Sequence, residues 1–502
     1  MRTAGRPDRA DPGRRLSADL YDAYACAYAY AYAGHLGNGH DADSRARDRH
    51  DHHDAHTDAQ RGSSWHDADP EQTEPPAAAR TAIQGREPTT TRCEAVLALE
   101  ARPSGVSEAP RVDSPSPRLG PFKRPLALRH VDRVPEHCVW EITNACNLNC
   151  VHCESESGCA RESELSTSEA LALCDDLKAL GCRVVNLSGG EPFLRPDWVQ
   201  ICERLVALEL EPVLVSNLTF ADEGHFDALA RLGVEWVATS VDGPEEVHDR
   251  IRRTRGETWS AFARTHAGIR ELKARGHSVA VITHVSLWNL QHMDELAGIL
   301  EQLGIDLWQL QLGQPSGRLR EIAASYLIYP RQIEDIYAFI RRVQQTRRLT
   351  LDVADDIGFF GLDELEVRML HGEPRFFAGC QAGFRALSIS SDGAVRGCPS
   401  LEIDVGNIRQ TPLAEIWADE KRFWFNHWDP SKIEGNCRRC PFLRICRCGC
   451  KSLALSTTGS IHRNIYCLNQ IKNLGGDPDR REVDGVAIAG CPPECSEPTE
   501  PK

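Results

Sequence analysis

The chain has little positive charge for its size: 58 lysines and arginines stand against 73 aspartates and glutamates in 502 residues, a net charge of −15. A surface of that sign repels phosphate backbones and anionic lipids, which excludes nucleic-acid or membrane binding by bulk charge. Long hydrophobic runs are also missing. No window approaches the roughly 18 uninterrupted apolar residues of a membrane span. The stretch from Tyr21 to Gly34, where Ala alternates with Tyr after several aspartates, lacks the greasy centre of an export signal. The expectation is a cytoplasmic protein with neither nucleic-acid nor membrane partners. Its length exceeds the roughly 100 to 200 residues of one domain, so two or three folded units are expected. Cysteine, in contrast, is plentiful at 20 residues. Such a number would suit a secreted disulfide scaffold only in a short chain, and here many of the cysteines are tightly clustered, the pattern of metal binding.

Residues 1–125 are rich in Pro, Ser, Asp and Arg without lasting apolar periodicity and read as a disordered low-complexity extension. Its His50, His52, His53 and His56 read as part of a solvated tail rather than as a metal site. From Glu136 the pattern changes to short β-rich runs alternating with amphipathic helices. Strands are expected at 137–143, 183–188, 211–217, 235–243, 277–286 and 306–311. Helices are expected at 166–181, with a capping box from Ser166 to Glu169, and at 197–210, 222–232, 258–274, 291–303 and 331–347. Six βα units imply an α/β fold with a parallel sheet, either doubly wound or an incomplete barrel, whose ligands sit at the C-terminal strand ends. No GxGxxG follows the first strand, which disfavours a dinucleotide site. A hairpin around Asp392-Gly393 then opens a Cys-rich stretch that runs to Cys467. The expected division is a barrel at 134–345, a linker at 346–374, a Cys-rich domain at 375–470 and a tail at 471–502.

The first strand runs into NACNLNCVHC, which puts Cys146, Cys150 and Cys153 in a CxxxCxxC loop at the functional end of the sheet. A 4Fe–4S cubane takes four ligands, so three thiolates leave one iron free to bind something else. The competing reading is zinc, completed by His152 or a distant Cys. The second strand ends in Gly189-Gly190-Glu191-Pro192, where glycine permits close backbone approach and a carboxylate can accept from a ligand ammonium group. The third strand ends at Ser216-Asn217, the fourth at Ser240-Val241-Asp242-Gly243, and His248-Asp249-Arg250-Ile251-Arg252 follows. Together these place hydroxyl, amide and guanidinium groups on one rim, as a zwitterionic, ribose-bearing ligand would need.

Over about residues 134–345 these motifs resemble the radical S-adenosylmethionine (radical SAM) superfamily. The resemblance implies a partial (β/α)6 TIM-like barrel. It also implies a cluster on Cys146, Cys150 and Cys153, with His152 in the slot that is usually aromatic. Gly189, Gly190, Glu191 and Pro192 would serve the methionine amino group of S-adenosylmethionine, and Asn217, Ser240 and Arg252 would contact the cofactor. Reductive cleavage of the sulfonium to a 5′-deoxyadenosyl radical is the implied chemistry.

Cys380 and Cys398 fit Cys-x12-Gly-x4-Cys, Cys437, Cys440, Cys446 and Cys450 fit CxxCx5CxxxC, and Cys467 follows sixteen residues later. This order resembles the SPASM extension with its two auxiliary 4Fe–4S clusters, giving three clusters in all. The resemblance implies Cys380, Cys398 and Cys450 for the first auxiliary cluster and Cys437, Cys440, Cys446 and Cys467 for the second. Family members that fully ligate the first cluster use another Cys just upstream of the Cys380 position, and residues 356–379 contain none. Either an iron is open there to substrate or a non-Cys ligand, or Cys448 fills the place, or Cys448 is a spare thiol. Cys159, Cys174, Cys182 and Cys202 read as small packing residues, and Cys491 and Cys495 as part of the tail.

The resemblance implies an enzyme that modifies a precursor peptide or protein side chain by crosslinking, epimerisation or oxidation. A flavodoxin or ferredoxin would donate the electrons, and a separate peptide-recognition protein would fit a chain whose N-terminus shows no winged-helix module. A sulfatase-maturating role is disfavoured because Pro399-Ser400 stands where those relatives carry an acidic base. The alternatives are a maturase of a small-molecule cofactor, and a non-catalytic iron–sulfur or zinc scaffold.

Overall fold

Alternation of side chains explains most of the architecture. In β1 (His137–Thr143), Cys138, Trp140 and Ile142 are fully buried beneath the helices, while His137, Val139 and Glu141 face a central cavity. The structure, a computed structural model, describes residues 133–489 except 347, 371, 372, 375, 376 and 378. The N-terminal extension, its histidines, Cys491 and Cys495 lie outside the described residues.

After β1 come α1 (Thr167–Ala179), β2 (Val184–Gly189), α2 (Trp198–Ala207), β3 (Glu211–Val215), α3 (Glu223–Leu232) and β4 (Trp236–Ser240). Then follow α4 (Glu245–Ile251), α5 (Ala261–Ala274), β5 (Ser278–Val285), α6 (Met293–Leu303), β6 (Leu307–Leu312), α7 (Leu319–Tyr326) and α8 (Ile333–Thr346). The expected capping box is formed, with Ser166 Oγ accepting from Glu169 N and Glu169 Oε2 accepting from Ser166 N, a device contributing about 1 kcal/mol. Helices α4 and α7 were not anticipated from the periodicity.

Strands β1 to β6 pair in order and in parallel, and β7 (Leu351–Val353) continues the series beside β6. The expected linker thus contains a seventh parallel strand. A small hairpin, β8 (Met369–Leu370) and β9 (Glu373–Pro374), leads to β10 (Ala386–Ile389), β11 (Ala394–Arg396) and β12 (Gly406–Asn407). The β10–β11 turn holds Gly393 at φ +86°, a conformation that favours glycine. β10 pairs in parallel with β1, so the Cys-rich domain extends the barrel's own sheet, and the order is β12-β11-β10-β1-β2-β3-β4-β5-β6-β7. Within this open ten-stranded sheet, β1 to β6 form the partial barrel. The segment expected as a tail includes a hairpin of β13 (Arg481–Val483) and β14 (Val486–Ile488), anchored where buried Arg481 donates to the carbonyls of Ala324 and Leu327 at 2.7 and 2.8 Å.

The inner face changes character along the strands. Toward their N-terminal ends Val213, Trp236, Ala238, Ala280 and Leu307 form an apolar plug. Toward the C-terminal ends Asn186, Ser188, His284, Gln309 and Gln311 line a cavity of about 420 Å³. Among the described residues no helix is long and apolar enough to cross a membrane.

Candidate functional site

Residues 144–159 leave β1 as a loop held largely by arginines. Arg255 Nε donates to the carbonyls of Cys146 and Leu148, both at 3.1 Å, and its Nη2 to Ser157 O at 2.7 Å. Arg318 Nε donates to Cys150 O at 2.9 Å. Short bridges from Ala145 to Gly158 and from Leu148 to Thr254 close the loop on itself and on the segment after α4. Backbone amides also reach the sulfurs, Leu148 N to Cys146 Sγ and Ser157 N to Cys153 Sγ, both at 3.4 Å. Burial pushes the Cys146 thiol up to about 12 and the Cys150 thiol to about 11. Iron would replace those protons, since a coordinating thiol is deprotonated outright.

The glycines of the second motif serve the loop itself. A Cβ on Gly189 would stand 2.1 Å from Thr143 O, and one on Gly190 would stand 2.1 Å from Ala145 O. Their absence lets Gly190 N and Glu191 N donate to those same carbonyls at 2.8 and 2.7 Å. Pro192 opens the 3-10 turn Pro192–Leu194. Glu191 is fully buried, and its oxygens accept from Ser216 Oγ, Asn217 N and Phe193 N at 2.8, 2.8 and 3.2 Å. Burial raises its carboxyl to about 7. The carboxylate expected to meet a ligand ammonium group instead fastens β2 to the end of β3, leaving backbone at the rim. Asn217 reaches back to the cluster loop, its Nδ2 donating to Asn147 Oδ1 at 2.9 Å. Ser240 shares the inner face of the barrel with Ile282.

Asp242 is a centre that sequence reasoning passed over. Wholly buried, it accepts from Arg252 Nε at 2.6 Å and His284 N at 3.0 Å, and its own N–H donates to His248 Nδ1 at 3.2 Å. Burial opposes ionisation here, but Arg252 and then the neighbouring histidines outweigh it and hold the carboxyl well below the usual range. Arg252 thereby stands close enough to Cys150 to favour its thiolate. His152 Nε2 lies 4.0 Å from Asp242 Oδ2, and its ring stacks on Tyr326 with centroids 5.9 Å apart and planes 8° apart. The signal for Asp242 was present in its spacing from His248 and Arg252, whereas Arg255 and Arg318 act through contacts no local pattern announces.

The remaining cysteines fall into two groups. Cys398 and Cys450 line the central cavity; burial first, then the neighbouring Cys380, Asp356 and Cys398, push the Cys450 thiol well up. Cys437, Cys440, Cys446 and Cys467 line a second, small cavity with Cys448. Cys448 therefore belongs with the second group: it hydrogen-bonds with Cys437, and its Sγ donates to His462 O at 3.2 Å. Its side is set by three successive left-handed residues, Arg447, Cys448 and Gly449, at φ 51, 70 and 75°. Amides point at the second group, Gln470 Nε2 to Cys437 Sγ at 3.0 Å and Asn469 Nδ2 to Cys440 Sγ at 3.3 Å. Cys174, Cys182 and Cys202 are buried in the core, while Cys159 is exposed rather than packed. A cubane gives each thiolate its own iron, so its ligands need not converge on one point. Among the described residues no three His, Cys, Asp or Glu side chains converge closely enough to hold a single metal ion.

The donor set fits the groups the motifs imply: three thiols on one loop for a cubane with a free iron, near Ser188 and Gly189, which line the central cavity where a zwitterion can lie. Comparison with known proteins agrees. Residues 140–300 match the radical SAM superfamily, and residues 380–441 match SPASM, an iron–sulfur cluster-binding domain. The chain is 31% identical over 345 residues to the AdoMet-dependent heme synthase of Methanosarcina barkeri, covering 66% of this chain and 96% of that one. It is 29% identical over 355 residues to the mycofactocin maturase MftC of Mycobacterium tuberculosis, covering 68% and 84%. The fold is similar to that of Streptococcus suis SuiB bound to S-adenosylmethionine, with a TM-score of 0.52 and 16% identity over 67% of this chain and 78% of that one. It is also similar to anSMEcpe with bound AdoMet and Cp18Cys peptide, with a TM-score of 0.51 and 19% identity over 66% and 93%. The chain thus belongs to the radical SAM superfamily, as an iron–sulfur enzyme that uses S-adenosylmethionine and carries a C-terminal SPASM domain.

Proposed function

We propose that the enzyme modifies a peptide or protein side chain lodged in the barrel lumen, with three clusters, one on Cys146, Cys150 and Cys153 and two on the seven SPASM cysteines. When bound, the first cluster supplies the electron that cleaves S-adenosylmethionine and so starts hydrogen abstraction from the substrate. The protein's part is positional: Arg255 and Arg318 fix the loop, Glu191 and the glycines keep the rim closed on it, and Asp242 holds Arg252 beside Cys150.

The observation that carries the reading is the lining of the lumen. Asn186, Gln309, Gln311 and Gln314 offer carboxamides, which match the donors and acceptors of a peptide backbone. Of six carboxylates, Glu141 is paired with Arg161 and burial pushes Glu154 and Asp356 toward the neutral form, which leaves Asp352, Asp355 and Glu402, while the second arginine, Arg396, is engaged by Asp404. A substrate bearing several carboxylates would meet like charge there. A cationic or neutral peptide would not. Identity to a heme synthase along nearly its whole length supports a second reading, a tetrapyrrole substrate.

One assay separates the two. Anaerobically reconstituted enzyme should form 5′-deoxyadenosine about tenfold faster with a peptide encoded beside its gene than without substrate, and no faster with an iron coproporphyrin. Stimulation by the porphyrin alone would transfer the assignment to the tetrapyrrole class. No cleavage under any condition would favour the scaffold alternative.

A further inference from the structure

The first auxiliary group has three thiols, Cys398 and Cys450 on the central cavity and Cys380 beside Cys450, one fewer than a cubane's four irons. Cys448 is turned to the other group. Among the described residues the cavity offers oxygen ligands instead, and Asp356 stands apart from the rest. It is 6% exposed and sits in the short segment after β7, in electrostatic contact with Cys450. Its Oδ2 is held by Leu312 N at 3.2 Å and Gln314 Nε2 at 3.4 Å, while its Oδ1 is buried without a partner.

Other buried carboxylates show how unusual this is. Glu191 accepts three hydrogen bonds, Asp242 is paired with Arg252, and Glu364 is paired with Arg368 and accepts from Phe360 N and Phe377 N. Among the described residues, Asp356 Oδ1 is the one buried carboxylate oxygen with no partner. Leaving such an acceptor unsatisfied is costly, and an iron ion is a partner that would relieve the cost and that a carboxylate can bind. With Oδ2 pinned by two donors, Oδ1 is already fixed in place.

Resting on the reading that Cys380, Cys398 and Cys450 hold a cluster, we infer that Asp356 is its fourth ligand, through Oδ1. This cluster is then closed by an oxygen at rest, and its carboxylate-bound iron is the one a substrate entering the lumen would have to displace Asp356 to reach.

The test uses the full chain with Cys146, Cys150 and Cys153 changed to Ala, reconstituted anaerobically, so that only auxiliary clusters contribute. The readout is the electron paramagnetic resonance spectrum of the reduced protein with and without cyanide, a ligand for an iron with an open position. The parent spectrum should not respond to cyanide, D356N should respond, and D356C should restore the insensitive state with full iron content. Behaviour of D356C as a well-loaded protein guards against misfolding of D356N. A parent that already responds to cyanide, or a D356N that matches the parent with and without it, overturns the inference. Cys380→Ala reports on the underlying reading: if it leaves auxiliary iron unchanged, the cluster assignment itself fails, whatever Asp356 does.

Discussion

The lumen side and the sealed side of this molecule treat sulfur differently. Cysteines 398 and 450 open onto a cavity of about 420 Å³ with carboxylates and carboxamides around it. Cysteines 437, 440, 446 and 467 surround a space of about 20 Å³, roofed by Phe359, Leu443 and Asn464 and supplied with amide donors. The lesson concerns access. A cluster on the first group can meet a substrate, whereas one on the second can only exchange electrons and brace the fold, its potential set by the hydrogen bonds to its sulfurs.

The contrast is most exposed to a pair of substitutions. Cys446→Ala, in the sealed group, should cost the auxiliary iron of that group and most of the domain's resistance to urea, because metal binding there is folding free energy. Cys398→Ala should lose a comparable amount of iron with a much smaller change in urea midpoint. Equal midpoints, measured alongside iron content, would erase the distinction.

At the lumen rim, Gly190→Ala places a methyl group where only 2.1 Å separates it from Ala145 O. The cluster loop must shift, and displacements of about 1 Å commonly cost on the order of 100-fold in rate. 5′-Deoxyadenosine formation should fall by about that factor while the iron of both SPASM groups stays. Loss of SPASM iron in this variant would show that the rim and the sealed side are not independent.

Beneath the rim, burial lowers His248 to about 3 from 6.5. Between those values the unfolded chain takes a proton that the folded chain refuses, so this group makes stability rise with pH across the window. Glu191, raised by burial to about 7, works in the opposite direction. The difference between variants isolates the histidine: in His248→Asn the urea midpoint should climb less from pH 5 to 7, by the equivalent of about 1 to 2 kcal/mol. An unchanged slope would mean that His248 is not held neutral.

The smallest effect belongs to the sealed side. Gln470→Leu removes the 3.0 Å donor to Cys437 Sγ. It should cost about 1 kcal/mol in stability and lower the reduction potential of that cluster, leaving the other auxiliary signal unmoved in a redox titration.

Much of this was legible in the chain because it is local. Six strands could be read from short apolar runs, α1 from its capping box, and the first cluster loop from the spacing of Cys146, Cys150 and Cys153. What escaped depends on distance in sequence. The strand Leu351–Val353 is three residues long and has no periodicity to read. The orientation of Cys448 follows from a left-handed run whose first two members, Arg447 and Cys448, carry no glycine signature. Asp356 looked like part of a linker because its neighbours, Leu312 and Gln314, lie more than 40 residues away.

The parallel pairing of β1 with β10 also has a consequence in time. Strand β1 emerges from the ribosome early, yet the residues that cover one of its edges, Ala386 to Ile389, lie some 250 positions later. At synthesis rates of about 5 to 20 residues per second, the gap is about 12 to 50 seconds. Throughout that interval the strand that ends in the cluster loop presents a bare row of backbone donors and acceptors, the template for pairing with another nascent chain. Expression at lower temperature or with added holdase should therefore raise the yield of soluble protein more for this chain than iron supply does, and shortening the chain before residue 386 should remove that benefit by making the bare edge permanent.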